Sequence, residues 1–298
     1  MKLESSYIKT KEVLKWKGLH LLNFAASACS QKVRIFMQLK GITWQDHQIN
    51  LAADANYSDW FMGINPRAQV PVLIDEGEVH IESNDIMQYL ESKFPSPCLL
   101  PNDLQETMQE ELQTEDDLHM DIRNISYRFM FGNKLMKKKN TIIKKYEDDA
   151  KIGEVLNYSH KSKVLNFYKG VSKKGVTNDA IVSSIDKFRE KFDQFEHSLS
   201  KQSYLLGDSV TLLDISWFIY VHRLSQVGYP FASHYPKINL WYQNLITQEE
   251  FSSNTKNPFP VKVLMMITKI KDNILGTSLQ KIINFKEIKL IFNFIKSQ

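Results

Sequence analysis

The chain has 298 residues, 43% of them apolar and 24% charged, with 11 Gly and 9 Pro. That composition suits one large or two modest folded domains and excludes collagen-like, Pro-rich and globally disordered classes. No uncharged apolar run reaches the roughly 18 residues of a membrane span, and the opening 18 residues lack the apolar stretch of a secretory signal.

Cys29 and Cys98 are the only cysteines. Two widely spaced thiols make neither a disulfide framework nor a CxxC metal pair. The eight His are scattered without ligand spacing, so no metal is expected and the cytoplasm is the expected compartment. The net charge of +4 is unevenly spread. Residues 101–122 hold eight Asp/Glu and no Lys or Arg, residues 134–174 hold twelve Lys against four acids, and residues 256–298 hold eight Lys against two. The basic segments carry no nucleic-acid-reading motif, and no nucleic-acid partner is expected.

Residues 1–17 are polar and Lys-rich and read as a loosely held arm. Leu19 to Phe24 reads as a buried strand, followed by the small residues Ala25 to Ser30. From Gln31 the spacing becomes helical through Val33, Phe36 and Met37 and closes at Gly41, a good helix stop. Trp44 to Leu51 alternates in part and reads as a second strand. Val70–Asp75 and Val79–Ile81 around Glu76-Gly77 read as a hairpin. Ser83 is then a candidate N-cap for a helix through Ile86, Met87, Leu90 and Phe94, ended by Pro95 and Pro97.

Residues 18–98 therefore spell a compact α/β unit. Beyond Pro101 the spacing is helical throughout, over 112–136, 176–199, 211–227 and 235–250. The expected organisation is an arm (1–17), an α/β domain (18–98), a linker (99–110) and an all-helical domain (111–298). The last carries a Lys-rich insertion at 134–175 and a basic amphipathic tail at 261–298.

Three places carry chemistry. Ser27, Cys29 and Ser30 sit between a strand and a helix start, where backbone N–H groups and a hydroxyl favour an anion such as a thiolate; the alternative is a turn of small residues with Cys29 packed as an apolar side chain. Val70–Pro71 precedes a strand that must pair. A cis bond there would turn the Val70 N–H and C=O outward for an extended peptide, whereas a trans proline would simply start the strand. Glu82-Ser83 opens a helix, where carboxylate, hydroxyl and helix N–H groups together suit an amino-acid zwitterion, or where Ser83 is only a cap.

These segments resemble the glutathione transferase superfamily from residue 19 to about 252. The resemblance rests on Ser27-Ala-Cys-Ser-Gln-Lys-Val-Arg-Ile35, Leu39-Lys-Gly-Ile42, Asn65-Pro-Arg-Ala-Gln-Val-Pro-Val-Leu73 and Ile81-Glu-Ser-Asn-Asp-Ile-Met-Gln-Tyr-Leu90. It continues through Tyr204-Leu-Leu-Gly-Asp208 and a capping box, Thr211 with Asp214. The first half is similar to the zeta class, from which it departs at Ala28, Ala68 and Glu82. The Lys-rich stretch is similar to the tetrachlorohydroquinone-dehalogenase-like and ganglioside-induced-differentiation-associated group.

The resemblance implies a thioredoxin-like domain that binds glutathione, followed by an all-helical domain that forms the pocket for a small electrophile. It implies that Ser27 is the thiolate-stabilising hydroxyl, with Cys29 a covalent variant. Val70, held by cis-Pro71, would pair with the cysteinyl backbone, Glu82 and Ser83 would hold the γ-glutamyl group, and Gln69 would lie near the glycyl end. The implied reaction is attack of the glutathione thiolate in conjugation, isomerisation or dehalogenation, by a homodimer engaged in detoxification. A non-catalytic binding protein of the same fold is the competing reading.

In the tail, Leu264, Ile267, Ile270 and Ile274 keep spacings of three or four. Such a stripe fits a helix packed back on the helical domain, the preferred reading, or one lying on an anionic membrane surface. Lys262, Lys269, Lys271, Lys281, Lys286 and Lys289 interrupt every apolar run, so a span is not expected.

Overall fold

The computed structural model describes residues 1–132, 141–144 and 158–284. The chain forms two compact units, Met1–Met108 with Lys138–Lys169 and Thr247–Asn257, and Gln109–Lys137 with Gly170–Ile246 and Pro258–Gln298. The first unit therefore gathers two stretches that the linear reading places in the helical domain. Much of the 134–175 insertion, and the tail from residue 285, lie outside the described residues.

The first unit is built on a sheet of five strands, β1 (Lys2–Leu3), β2 (Leu19–Asn23), β3 (Gln45–Gln48), β4 (Val72–Asp75) and β5 (Glu78–Ile81). Their order is β1-β5-β4-β2-β3. β2 and β3 are parallel, and the other pairs are antiparallel. Helix α1 (Ala28–Leu39) makes the crossover between the parallel strands, starting three residues earlier than its apolar spacing suggests because Ser27 caps it. It ends in a Schellman motif: Gly41 takes φ +64, Ile42 N–H donates to Met37 C=O at 2.8 Å, and Gly41 N–H donates to Gln38 C=O at 3.0 Å. Helix α3 (Ser83–Lys93) packs beside α1. A short helix α2 (Asp59–Met62) lies in the long connection between β3 and β4.

Residues 1–17 are not a loose arm. β1 pairs with β5, placing Lys2 opposite His80 and Leu3 opposite Val79. Leu3, Ile8 and Val13 are buried with Leu22, Val72, Ile74, Val79 and Ile81. Lys9 and Thr10 N–H both donate to Gly63 C=O, at 2.7 and 3.1 Å. These apolar residues stand five apart, a spacing with neither helical nor strand period, so periodicity does not reveal them.

Burial on both sheet faces leaves all of β4 inaccessible. Asp75, at its end, accepts from Tyr89 Oη at 2.6 Å and is paired with Lys93, both from α3. His80 stacks on Tyr89 with ring centroids 3.9 Å apart. Burial pushes the His80 imidazole down to about 4.

In the second unit, the helix His119–Ser126 runs into a π-helical turn at Tyr127–Phe131. It packs against the long helix Asn178–Ser198. Phe188, Phe192 and Phe195 of that helix are buried around Trp217 and Tyr220, with Phe195 edge-on to Trp217 at 4.8 Å. Trp217 and Tyr220 lie on the helix Leu212–Gln226, which is buried from Leu212 through Leu224. The capping box at its start is formed: Asp214 accepts from Thr211 N–H at 2.9 Å and from Thr211 Oγ1 at 2.8 Å. Asp214 also accepts from Leu205 N–H at 3.0 Å and from Trp241 Nε1 at 2.9 Å. Full burial raises the Asp214 pKa against these four bonds.

The helix Phe259–Ile274 reverses the expected packing. Of the four stripe residues, Ile267, Ile270 and Ile274 face solvent and only Leu264 is half-buried, while Thr268 and Asp272 are buried. Asp272 accepts from Arg128 Nη1 at 3.4 Å and from Thr277 Oγ1 at 3.0 Å. Periodicity identifies an apolar face but not what it faces; here the ion pair and Thr268 choose the packed side.

Two outcomes follow for stability. Cβ at Gly77, where φ is +83, would lie 2.2 Å from the Leu14 carbonyl oxygen, whereas Gly18, at φ +78, has open space. Gly77→Ala should cost about 2–4 kcal/mol and Gly18→Ala about 1–2 kcal/mol in urea unfolding. Equal losses would show that the Leu14 contact does not matter. The unfolded chain takes up a proton on His80 below pH 6.5, which the folded chain resists down to about 4. Stability should be full above pH 6.5 and fall by up to about 3 kcal/mol as pH drops to 4, a loss that His80→Phe removes.

Candidate functional site

The sheet register places the candidate residues. Leu22 pairs with Val72, and Val72 pairs with Ile81, so these three form the last row of the ladder at one end. Immediately beyond that row, β2 runs into the turn carrying Ser27, Val70-Pro71 leads into β4, and β5 runs into Glu82-Ser83. The three segments thus leave the sheet at one end.

Ser27 is half-buried and extended, and its Oγ accepts from Ser30 N–H at 3.3 Å as the N-cap of α1. That bond uses an oxygen lone pair and leaves the hydroxyl proton to donate outward. Ser30 is fully buried, and its Oγ accepts from Phe24 N–H at 3.3 Å, so its hydroxyl serves the turn. Cys29, half-buried, is the second residue of α1.

The Val70–Pro71 peptide is cis. Among the described residues neither the Val70 N–H nor its C=O has a hydrogen-bond partner. The preceding loop is fixed by buried amides. Asn65 Nδ2 donates to Gln69 C=O at 2.8 Å, Asn65 Oδ1 accepts from Arg67 N–H at 3.0 Å, and Asn56 Nδ2 donates to Ala68 C=O at 2.7 Å. Ala68 takes φ +51, a conformation that favours glycine. Tyr57, Met62 and Ala68 form a small apolar cluster with Val164, flanked by Ile142, Leu165 and Tyr168. Parts of the Lys-rich stretch therefore cover this loop.

Glu82, not Ser83, is the N-cap residue of α3, with φ +67 and no side-chain capping bond. Ser83 is the first helical residue and is buried. The Glu82 carboxylate accepts from Arg67 Nη1 at 2.6 Å. Arg67 was not singled out from the sequence; an Arg in the loop before a cis-proline has no periodic signal, and only the fold brings it to the start of α3.

Arg34 was also missed. Its guanidinium donates to Asn23 Oδ1 at 2.7 Å, to Ala25 C=O at 3.1 Å and to Asn254 C=O at 2.9 Å, all within the first unit. It stands behind the Ser27 turn. Burial lowers its pKa to about 10, partly offset by Asp46, so it remains charged at neutral pH. Among the described residues no three His, Cys, Asp or Glu side chains gather in a way that could hold a metal.

The glutathione S-transferase N-terminal domain matches residues 26–93 and the glutathione S-transferase C-terminal domain matches residues 178–244. Glutathione S-transferase Z1 of Arabidopsis thaliana is 38% identical over 86 residues, 29% of this chain and 39% of that one. Maleylacetoacetate isomerase of Mus musculus is 41% identical over 87 residues, 28% of this chain and 40% of that one. The matched stretch thus spans about two fifths of the length of these relatives. The β-etherase LigF of Sphingobium sp. strain SYK-6 shares the fold, with a TM-score of 0.65 at 23% identity over 79% of this chain and 98% of that one. A bacterial zeta-class maleyl pyruvate isomerase does so with a TM-score of 0.54 at 23% identity over 79% and 95%. With both domain models matched in order on one chain, the protein carries the domain pair of glutathione S-transferases, and its first domain is similar to those of zeta-class proteins.

Proposed function

We propose that the protein is a glutathione transferase that activates the thiol of bound glutathione for attack on a small electrophile. The reading is carried by one observation: the capped Ser27 turn, the unpaired Val70 backbone and the start of α3 all lie just past the Leu22–Val72–Ile81 row. An extended tripeptide can pair with Val70 as an added strand. Its γ-glutamyl carboxylate is served by the Ser83 hydroxyl and the N–H groups at the start of α3, and its ammonium by Glu82. Arg67, bonded to Glu82 at 2.6 Å, holds that carboxylate in place. Gln69 lies toward the glycyl end.

Ser27 donates a hydrogen bond to the sulfur, and the start of α1 adds the field of its N–H groups, so the thiol loses its proton to solvent more readily. The thiolate then forms a carbon–sulfur bond with the electrophile. Net conjugation results if a leaving group departs, and isomerisation if the sulfur leaves again. Cys29 is the covalent variant: its thiolate attacks a sulfur of oxidised glutathione, forming a mixed disulfide and releasing one glutathione thiolate. The expected setting is a cytoplasmic homodimer in detoxification, and a monomeric mass by light scattering would overturn the dimer.

Calorimetry tests the binding. Glutathione should bind with a Kd near or below 1 mM, about −4 kcal/mol, and no heat at millimolar glutathione would favour the non-catalytic reading. Ser27→Ala should lower turnover of a chlorodinitrobenzene-type probe by at least about tenfold. Its pH profile should move upward, because a thiolate with one donor fewer needs a higher pH to form. Ser27→Thr should restore both. Unchanged turnover in Ser27→Ala would transfer the role to Cys29.

A further inference from the structure

The helix Phe259–Ile274 has an unusual division of faces. Its packed side is polar at the centre, with Thr268 and Asp272 buried. Its outer side is apolar: Phe259 is 77% exposed, Ile270 53% and Ile274 79%, with Met266 and Ile267 also exposed. At about 100° per residue these five side chains fall within an arc of about 100°, opposite Thr268 and Asp272. Leu275, exposed, extends the stripe past the helix end. Lys262 and Lys269 border one edge of the stripe and Lys271 the other, all of them exposed.

Charge separates a lipid surface from the other occupants of such a face. Residues 256–284 contain five Lys and one acid, Asp272. That acid is buried and engaged by Arg128 at 3.4 Å and Lys271 at 3.8 Å. The exposed surface of the segment is therefore apolar and cationic, with no exposed carboxylate. Lysines flanking an apolar stripe can lay their stems along hydrocarbon and lift their ammonium groups to headgroup phosphates. The helix has 16 residues. At about 1.5 Å per residue that is shorter than a bilayer core, and among the described residues no helix is long and apolar enough to cross a membrane.

We propose that the 259–275 face docks on an anionic phospholipid surface, the apolar stripe entering the headgroup–acyl boundary and Lys262, Lys269, Lys271 and Lys281 meeting the phosphates. The contact lies on the second unit and does not depend on the transferase reading.

The test is co-sedimentation of the full chain with phosphatidylcholine vesicles, with and without phosphatidylserine, beside its thermal melting and its mass in solution. The chain should bind only the anionic vesicles, and less as salt rises. Ile270→Glu should weaken binding at least about tenfold and leave the melting temperature in place, because its site is solvent-exposed. Lys262→Gln and Lys269→Gln should each weaken it about fivefold. Three results would overturn the proposal: no binding to anionic vesicles, binding that Ile270→Glu leaves intact, or a large fall in melting temperature in Ile270→Glu, which would mean that the chain itself covers the face. A fourth is a halved mass in Ile270→Glu without any vesicle binding by the parent chain, which would assign the face to a second copy.

Discussion

The Arg34 guanidinium is the constraint on which the first unit turns. It is almost wholly buried and binds the end of β2 through Asn23, the following turn through Ala25, and the 249–254 helix through Asn254. Gln38, one turn further along α1, accepts from Ser253 Oγ at 3.2 Å and Asn254 Nδ2 at 2.6 Å, so that helix is held at two levels. A buried cation costs several kcal/mol in lost hydration and survives only where hydrogen bonds replace the water. A planar fork spreads its donors toward acceptors on separate segments, whereas a Lys ammonium is a compact point charge. The gain is a fixed path for residues 23–27, and hence for the hydroxyl of Ser27.

From that fixed path the rest of the site inherits its order. Ala68 and Glu82 both hold positive φ without being glycine, and both flank the site. Each such conformation costs about 1–2 kcal/mol, and each persists because its neighbours are pinned. Asn56 and Asn65 hold the carbonyls of Ala68 and Gln69, and Arg67 holds the carboxylate of Glu82. Strained backbone supported by buried hydrogen bonds gathers where a ligand must be met in one geometry. The apolar cluster of Tyr57, Met62, Ala68 and Val164 adds a further clamp on the same loop. Through it the described part of the Lys-rich stretch bears on the loop that carries Arg67 and Gln69.

What could be read from the sequence was whatever has a local signature. Gly41 after a helical pattern gave the end of α1, Glu76-Gly77 gave the hairpin, and Thr211 with Asp214 gave the start of a buried helix. The juxtaposition of Ser27, Val70 and Glu82 could also be read, because strand order and register bring them to one end of the sheet. Long-range satisfaction of polar groups could not. Arg34 meets Asn254 across 220 residues, and Arg67 meets Glu82 across a strand pair. The N-terminal residues were misread for a related reason: Leu3, Ile8 and Val13 are anchored one by one, and only the edge of β5 and the Gly77 turn make them a layer. Ser83 was misplaced by one residue because Ser is the better cap by type, yet the left-handed backbone at Glu82 sets where the helix begins.

The 259–274 helix shows the same limit in its sharpest form. Its apolar stripe has ideal spacing for a core, and the protein turns it outward. Burying that stripe would be worth about 25 cal/mol per Å², so an outward stripe has to be held by something on the other side. Asp272 supplies it, because its carboxylate lies beneath the helix against Arg128 from the π-helical turn at Tyr127–Phe131. Gly132, at φ +75, ends that turn with Thr268 close above it. Rotating the stripe inward would carry Asp272 to the surface and strand the Arg128 charge in the interior, a loss that breaking a buried pair makes several kcal/mol deep. The orientation of this face therefore rests on the Asp272–Arg128 pair and Thr268 together with the half-buried Val261, Leu264 and Met265 on the same side.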